Sequence, residues 1–350
     1  MISQTDAAGV LSQVQRARYL ARQHGLALGL GLLTRVMRTI AQRRVKQPPP
    51  EALALLERRF HALLQSDWDN AAAGLYPRGL LFHFPVREYA AALPLALADL
   101  PRVVKRVRER KFDDLPAGID RSRYPDYYLR NFHWQTDGWF SERSARLYDF
   151  GVDMLFGGAT DAMRRMTLPP VVRALADQPS PAVLDVACGT GRFTVQLAKA
   201  LPRARIYGVD LSPFYAARAR EQLAAARVKD ASVLTENAET LPFGDASFDA
   251  VTCVFLFHEL PRDARRRVLG EIRRVLKPGG VVSICDSAQL CDSPSLEFFF
   301  DSFAEAYHEP YYKGYVRDSL EAALTECGFA DVHGEAHLVS KVVSAHAAAS

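Results

Sequence analysis

The sequence is poor in features that would place it in several common classes. It has five cysteines, Cys188, Cys253, Cys285, Cys291 and Cys327, with no CxxC pair and no metal-ligand spacing among them. Three lie inside apolar, strand-like runs. They read as small buried hydrophobes of a reducing compartment, with a catalytic thiol as the alternative, and no metal is expected. No long apolar run is present near the start: "GLALGLGLL", Gly25–Leu33, is too short to cross a bilayer and lies close to Arg22 and Arg35. There is no charged, apolar and cleavage-site series of a signal peptide. No internal repeat is visible. Acid is scarce at the amino end: residues 1–46 hold eight Arg and Lys against Asp6 alone, although the net charge of the 350 residues is only +4. A basic segment of this kind could rest on an anionic membrane surface or be the solvated face of an ordinary helix. The cytoplasm, with peripheral membrane contact through residues 1–46, is the expected location, and the sequence leaves the oligomeric state open.

What is present is an ordinary globular composition, 49% apolar and 24% charged, in a chain longer than one typical domain. Residues 1–46 read as helix. "KQPPP", Lys46–Pro50, stops it, and a second helix with a stripe of Leu53, Leu56, Phe60 and Leu63 follows. Residues 76–123 mix prolines with apolar and basic stretches, including "RVVKRVRERK" (Arg102–Lys111), and predict short helices. An aromatic segment, Tyr124–Phe140, precedes a helix capped by Ser141 that should run on toward Met166. From Pro181, strands alternate with helices: "AVLDVA", "ARIYGVD", "ASVLTEN", "FDAVTCVFLF" and "GVVSICD", with "ADVHGEAHLV" and "SKVVSAHA" at the end. Short apolar strands separated by helices predict a mainly parallel sheet with helices on both faces, and ligands then bind beyond the carboxyl ends of its strands. The expected divisions are residues 1–123, a helical region; 124–170, an aromatic lid and lead-in helix; and 171–346, the sheet domain.

The first strand ends in Gly189-Thr190-Gly191, where backbone can approach a ligand closely. Thr194 stands where a dinucleotide fingerprint wants Gly or Ala, and no Gly-Lys-Ser/Thr of a phosphate loop follows. Asp185 lies inside that strand and needs partners, with the loop amides as candidates. Asp210 ends the second strand, where an acid can accept both hydroxyls of a ribose or simply cap the next helix. Asn237 and Ala238, after the third strand, sit where an adenine edge could be read.

The series "VLDVACGTG", "GVDLS", "ENAETLPFGDASFDAV" and "RVLKPGG", over roughly residues 181–287, resembles successive motifs of the Rossmann-like S-adenosylmethionine-dependent methyltransferases of the type 11/25 kind. The resemblance implies a doubly wound, seven-stranded α/β sheet ending in an antiparallel hairpin, with a mostly helical extension before it. It implies S-adenosylmethionine as cofactor, with Asp185, Gly189 and Gly191 on its methionine part and Asp210 on its ribose. Ala187, Leu211, Asn237, Ala238 and Phe255 complete the implied cofactor set. Asn237 departs from the Asp often found there, yet its amide oxygen can still accept from an adenine amino group.

Methyl transfer needs a nucleophile aligned behind the methyl carbon, and a general base if the acceptor is a phenol or an acidic carbon. The candidates are His258, Asp286 and His133, with Glu259 beside His258 as either a base or the start of the next helix. Either histidine could instead be structural. The expected acceptor contacts are Tyr128, Phe132, Trp134, Asp137 and Trp139, in a segment that could equally be an aromatic seam. "LYDFGVDMLFGGATDAMRR", Leu147–Arg165, resembles loosely the lead-in segment of the ubiquinone and menaquinone C-methyltransferases, which implies a small, aromatic or lipophilic, quinol-like acceptor. A non-catalytic cofactor-binding scaffold and a nucleic-acid methyltransferase are the alternatives. No nucleic-acid partner is expected, because nothing in the basic arm interleaves aromatics for base stacking.

Overall fold

A computed structural model describes residues 4–40 and 49–348. The "KQPPP" stop, apart from Pro49 and Pro50, and the basic residues Arg43, Arg44 and Lys46 lie outside the described residues. The amino-terminal part is helical: α1 (Gln4–Ile40), α2 (Pro50–Ala72) and α3 (Val86–Glu109). α3 corrects the expectation of short helices. It runs unbroken for 24 residues although Pro94 and Pro101 lie inside it. Its period explains the basic cluster: Val103, Val104 and Val107 share one face while Arg106 turns inward to Thr136 and the Trp134 carbonyl. The aromatic segment forms short 3-10 turns, with His133 and Trp134 at φ values of 54° and 59°.

The lead-in helix is two helices, not one. α4 (Glu142–Leu155) starts at Ser141, whose hydroxyl accepts the Ser144 amide, and α5 (Thr160–Arg165) follows after a break. Gly157 and Gly158, at φ values of 57° and 76°, make that break in a left-handed conformation that ends a helix. α6 (Leu168–Ala174) then leads into the sheet domain.

That domain alternates as expected: β1 (Ala182–Val186), α7 (Arg192–Ala200), β2 (Arg205–Asp210), α8 (Pro213–Ala225), β3 (Ala231–Thr235), β4 (Phe248–Val254), α9 (Arg262–Val275) and β5 (Leu276–Ser287). α10 (Glu297–Tyr307), α11 (Tyr312–Tyr315) and α12 (Leu320–Glu326) separate β5 from the hairpin β6 (Phe329–His337) and β7 (Ser340–Ala347). The seven strands lie in the order β3-β2-β1-β4-β5-β7-β6, parallel except for β7, which runs antiparallel to both of its neighbours. The order reverses at β1, so the loops after β1 and β4 diverge there and leave a crevice.

Side chains alternate between the two faces of the sheet. Leu184, Val186, Val251 and Ile284 pack toward α9, α11 and α12. Val183, Ile206, Ala250 and Val281 pack toward α5, α6 and α7, and Tyr19, Leu63, Leu64 and Trp68 of α1 and α2 enter that same core. The amino-terminal helices therefore share buried surface with the sheet. A buried ion pair fixes them further: Arg165 holds Asp67 through Nε at 2.8 Å and Nη2 at 2.6 Å, and the Tyr19 and Tyr76 hydroxyls donate to the same carboxylate. No helix among the described residues is long and apolar enough to cross a membrane.

Candidate active site

A cavity opens at the switch point, lined by Asp185, Ala187, Gly189, Asp210, Leu211, Asn237, Ala238 and Phe255. Its floor is the turn after β1. Gly191 is obligatory there: its φ is 81°, and a Cβ would stand 2.8 Å from Cα of Ala219 on α8. The absence of that methyl lets α7 start against α8. Gly191 thus serves helix packing, while Gly189 and Ala187 line the cavity.

Asp210 accepts the Gly189 amide on one oxygen and the Ser212 amide on the other, each at 2.9 Å. Ser212, not Asp210, caps α8, since its hydroxyl accepts the Tyr215 amide. Each Asp210 oxygen has accepted one backbone amide and keeps a lone pair for a further donor at the cavity wall. Asp185 differs from the reading that put loop amides on it. The Thr194 hydroxyl donates to it at 2.6 Å and the Thr252 hydroxyl at 2.9 Å. Burial pushes both carboxyls up, to about 6 for each, against these hydrogen bonds. The Asn237 side-chain oxygen accepts the Glu239 amide at 2.9 Å, which orients the side chain at the cavity edge.

A second cavity of about 300 Å³ lies beside the first. Leu100, Val103, Val104 and Val107 of α3 form one wall, and Leu147, Phe150 and Leu155 of α4 another. Tyr148 lines both cavities, whereas His133 and Trp134 line the second and Tyr128 and Trp139 the first.

The remaining candidates are placed differently. Phe132 is buried against Trp139 and lines neither cavity. Asp137 faces a separate surface groove with Arg102 and Lys105. Asp286 is fully buried, and it accepts from the amides of Phe257 and Ser287 and pairs with Nδ1 of His258, each at 2.7 Å. With its oxygens taken up in this way, Asp286 orients His258, and it lines neither cavity. The other ring nitrogen of His258, Nε2, is 3.9 Å from Glu259.

His133 lies between Glu259, 3.5 Å from its Nε2, and Glu309, 3.2 Å from its Nδ1. Burial pushes the Glu309 carboxyl up to about 8. For His133, burial works against the proton, but the two glutamates outweigh it and its pKa is raised. The sequence reading named Glu259 only as a candidate base or helix start and passed over Glu309, which stands 50 residues further on, beyond β5. Also missed was Arg192, the first residue of α7, which bonds Asp153 of α4 and Asp161 of α5 and so ties the lead-in helices to the glycine turn.

An open α/β sheet with an amide-lined carboxylate at the switch point is the frame of a nucleoside-binding enzyme. Residues 183–280 match a family model described as a methyltransferase domain. The chain is 31% identical over 243 residues to a demethylmenaquinone methyltransferase of Geobacillus stearothermophilus, covering 64% of this chain and 88% of that protein. It is 32% identical over 192 residues to the demethylmenaquinone methyltransferase of Geobacillus kaustophilus, covering 49% and 76%. A solved structure of a SAM-dependent methyltransferase from Aquifex aeolicus superposes with a TM-score of 0.38 at 23% identity, covering 52% of this chain and 92% of that one. The chain belongs to the S-adenosylmethionine-dependent methyltransferases. It is an enzyme, and S-adenosylmethionine is its cofactor.

Proposed function

We propose that this enzyme methylates a small lipophilic, ring-bearing acceptor of the quinol type, held in the apolar cavity between α3 and α4. The observation that carries the reading is the adjacency of the two cavities through Tyr148, with an apolar wall on the acceptor side. The two Geobacillus relatives, demethylmenaquinone methyltransferases by name, support it.

In this reading Asp210 accepts the ribose hydroxyls, and Asn237 and Ala238 meet the adenine. Asp185 and Gly189 shape the methionine end on the turn that Gly191 seats against α8, with Ala187, Leu211 and Phe255 as apolar walls. The bound cofactor supplies an already activated methyl group. The chain's own residues align the acceptor and keep water out. His133 faces the acceptor cavity from between Glu259 and Glu309, while Trp134 and Tyr148 give flat surfaces for a ring.

The test uses methyl-labelled S-adenosylmethionine with a prenylated hydroquinone and with a water-soluble phenol of the same ring. Labelled product from the prenylated compound is expected, at a kcat/KM far above that of the phenol. Val104→Trp should then lower transfer by filling the cavity while leaving cofactor affinity unchanged in calorimetry. Equal turnover of the two acceptors, or full activity in Val104→Trp, would remove the apolar cavity from the acceptor site.

A further inference from the structure

His133, Glu259 and Glu309 come from three separate elements: a 3-10 turn of the aromatic segment, the loop after β4 and the link between α10 and α11. One ligand atom from each lies within 4.8 Å of the other two. The Glu309 side chain is wholly buried, yet neither of its oxygens receives a hydrogen bond. Among the described residues, the ion-pair partners of both glutamates are histidines alone. The wholly buried Glu309 and the half-buried Glu259 face the same imidazole, and a buried carboxyl group left without a hydrogen-bond partner is expensive. We infer that His133, Glu259 and Glu309 form a binding site for one first-row divalent cation at the junction of the cofactor and acceptor cavities.

The donor set fits such an ion. One imidazole with two carboxylates suits Mn²⁺, Fe²⁺ or Zn²⁺ better than the all-oxygen preference of Mg²⁺ or the thiolate preference of Cu⁺. Bonds of about 2.0–2.2 Å require ligand atoms closer together than they now are, a change that side-chain rotation can supply. The supporting shell is present. His258 faces Glu259 through Nε2, and its Nδ1 is fixed by Asp286 at 2.7 Å, an arrangement that holds a ligating carboxylate in place. Glu259 borders the cofactor cavity and His133 the acceptor cavity, so the remaining coordination positions open toward both. A cation there would bind and polarise a ring oxygen of the acceptor. This use rests on the acceptor reading given above, whereas the site itself does not.

The test is binding alone, without acceptor. Full-length protein freed of metal by chelation is titrated with Mn²⁺, with free ion followed by its paramagnetic resonance signal, and Zn²⁺ is then added as competitor. One equivalent of Mn²⁺ should bind saturably and be displaced by Zn²⁺. Glu309→Gln, which keeps the side-chain shape, should weaken Mn²⁺ binding by about tenfold or more. His133→Gln should do the same, and S-adenosylmethionine affinity should stay unchanged in Glu309→Gln as proof of folding. Absence of saturable Mn²⁺ binding overturns the inference, and so does binding of undiminished affinity in both variants. Failure of the quinol reading would show instead in the acceptor assay, with metal binding intact.

Discussion

Arg192 donates Nε and Nη2 to one oxygen of Asp161, at 3.2 and 2.8 Å, and Nη2 also reaches Asp153 at 2.9 Å. Burial disfavours the charge on Asp161, but Arg192 and Arg164 outweigh it and hold its carboxyl well below the usual range. The network is therefore intact at neutral pH. Removing the guanidinium leaves Asp153 to the Tyr89 hydroxyl and Asp161 to Arg164. Arg192→Met should lose about 3–5 kcal/mol of stability in urea unfolding. It should also weaken cofactor binding, because Arg192 opens α7 directly after the glycine turn. Unfolding unchanged from wild type would show that the network contributes nothing net.

The two glycines of the turn should separate by experiment. Gly191→Ala forces a methyl to within 2.8 Å of Ala219 Cα at a φ of 81°, so α7 must move off α8, at about 1–3 kcal/mol. Gly189 also has a positive φ, 56°, but a methyl there meets no atom within 4 Å. Gly189→Ala should be the more stable variant in thermal unfolding, and its defect should appear in cofactor affinity because Gly189 lines the cavity. The reverse order of melting temperatures would contradict the packing account.

Cofactor affinity should depend on pH through Asp185 and Asp210. Burial raises both carboxyls to about 6 in the free protein, so each is a carboxylate at pH 8 and mostly neutral at pH 5. A cationic sulfonium and the ribose hydroxyls favour the ionised forms, so binding below pH 6 must expel protons. The sign follows: affinity is level between pH 7 and 8 and falls as pH drops, by about tenfold per carboxylate at pH 5. Calorimetry across that range, in buffers of differing ionisation enthalpy, measures both the affinity and the protons released. An affinity that rises toward pH 5 would contradict the assignment.

The sheet was legible because its strands are short, apolar and separated by amphipathic helices, and β1 is buried at every position. The turn after β1 was legible from Gly189 and Gly191, although the work of Gly191 in seating α7 on α8 depends on Ala219, 28 positions on, which no local pattern marks. α3 was not legible, since Pro94 and Pro101 signal breaks that packing overrides. The break after α4 was written in Gly157 and Gly158 but masked by the apolar period on either side. Glu309 was invisible for another reason. Nothing local marks an acid that meets His133 only through tertiary folding, across 176 positions of chain. Nor does anything local mark Asp153 and Asp161 as the partners of Arg192.

The two prolines of α3 have a consequence for the breadth of acceptors. Each lacks the amide hydrogen that would close a helical turn, so α3 walls the second cavity with two rungs missing from its ladder. The opposite wall, α4, carries no proline and is tied to the glycine turn by Arg192. The cavity thus has one stiff jaw beside the methyl donor and one compliant jaw away from it. On the proposed reading, a ring would be held to register by the first, and tails of different girth would be accommodated by the second.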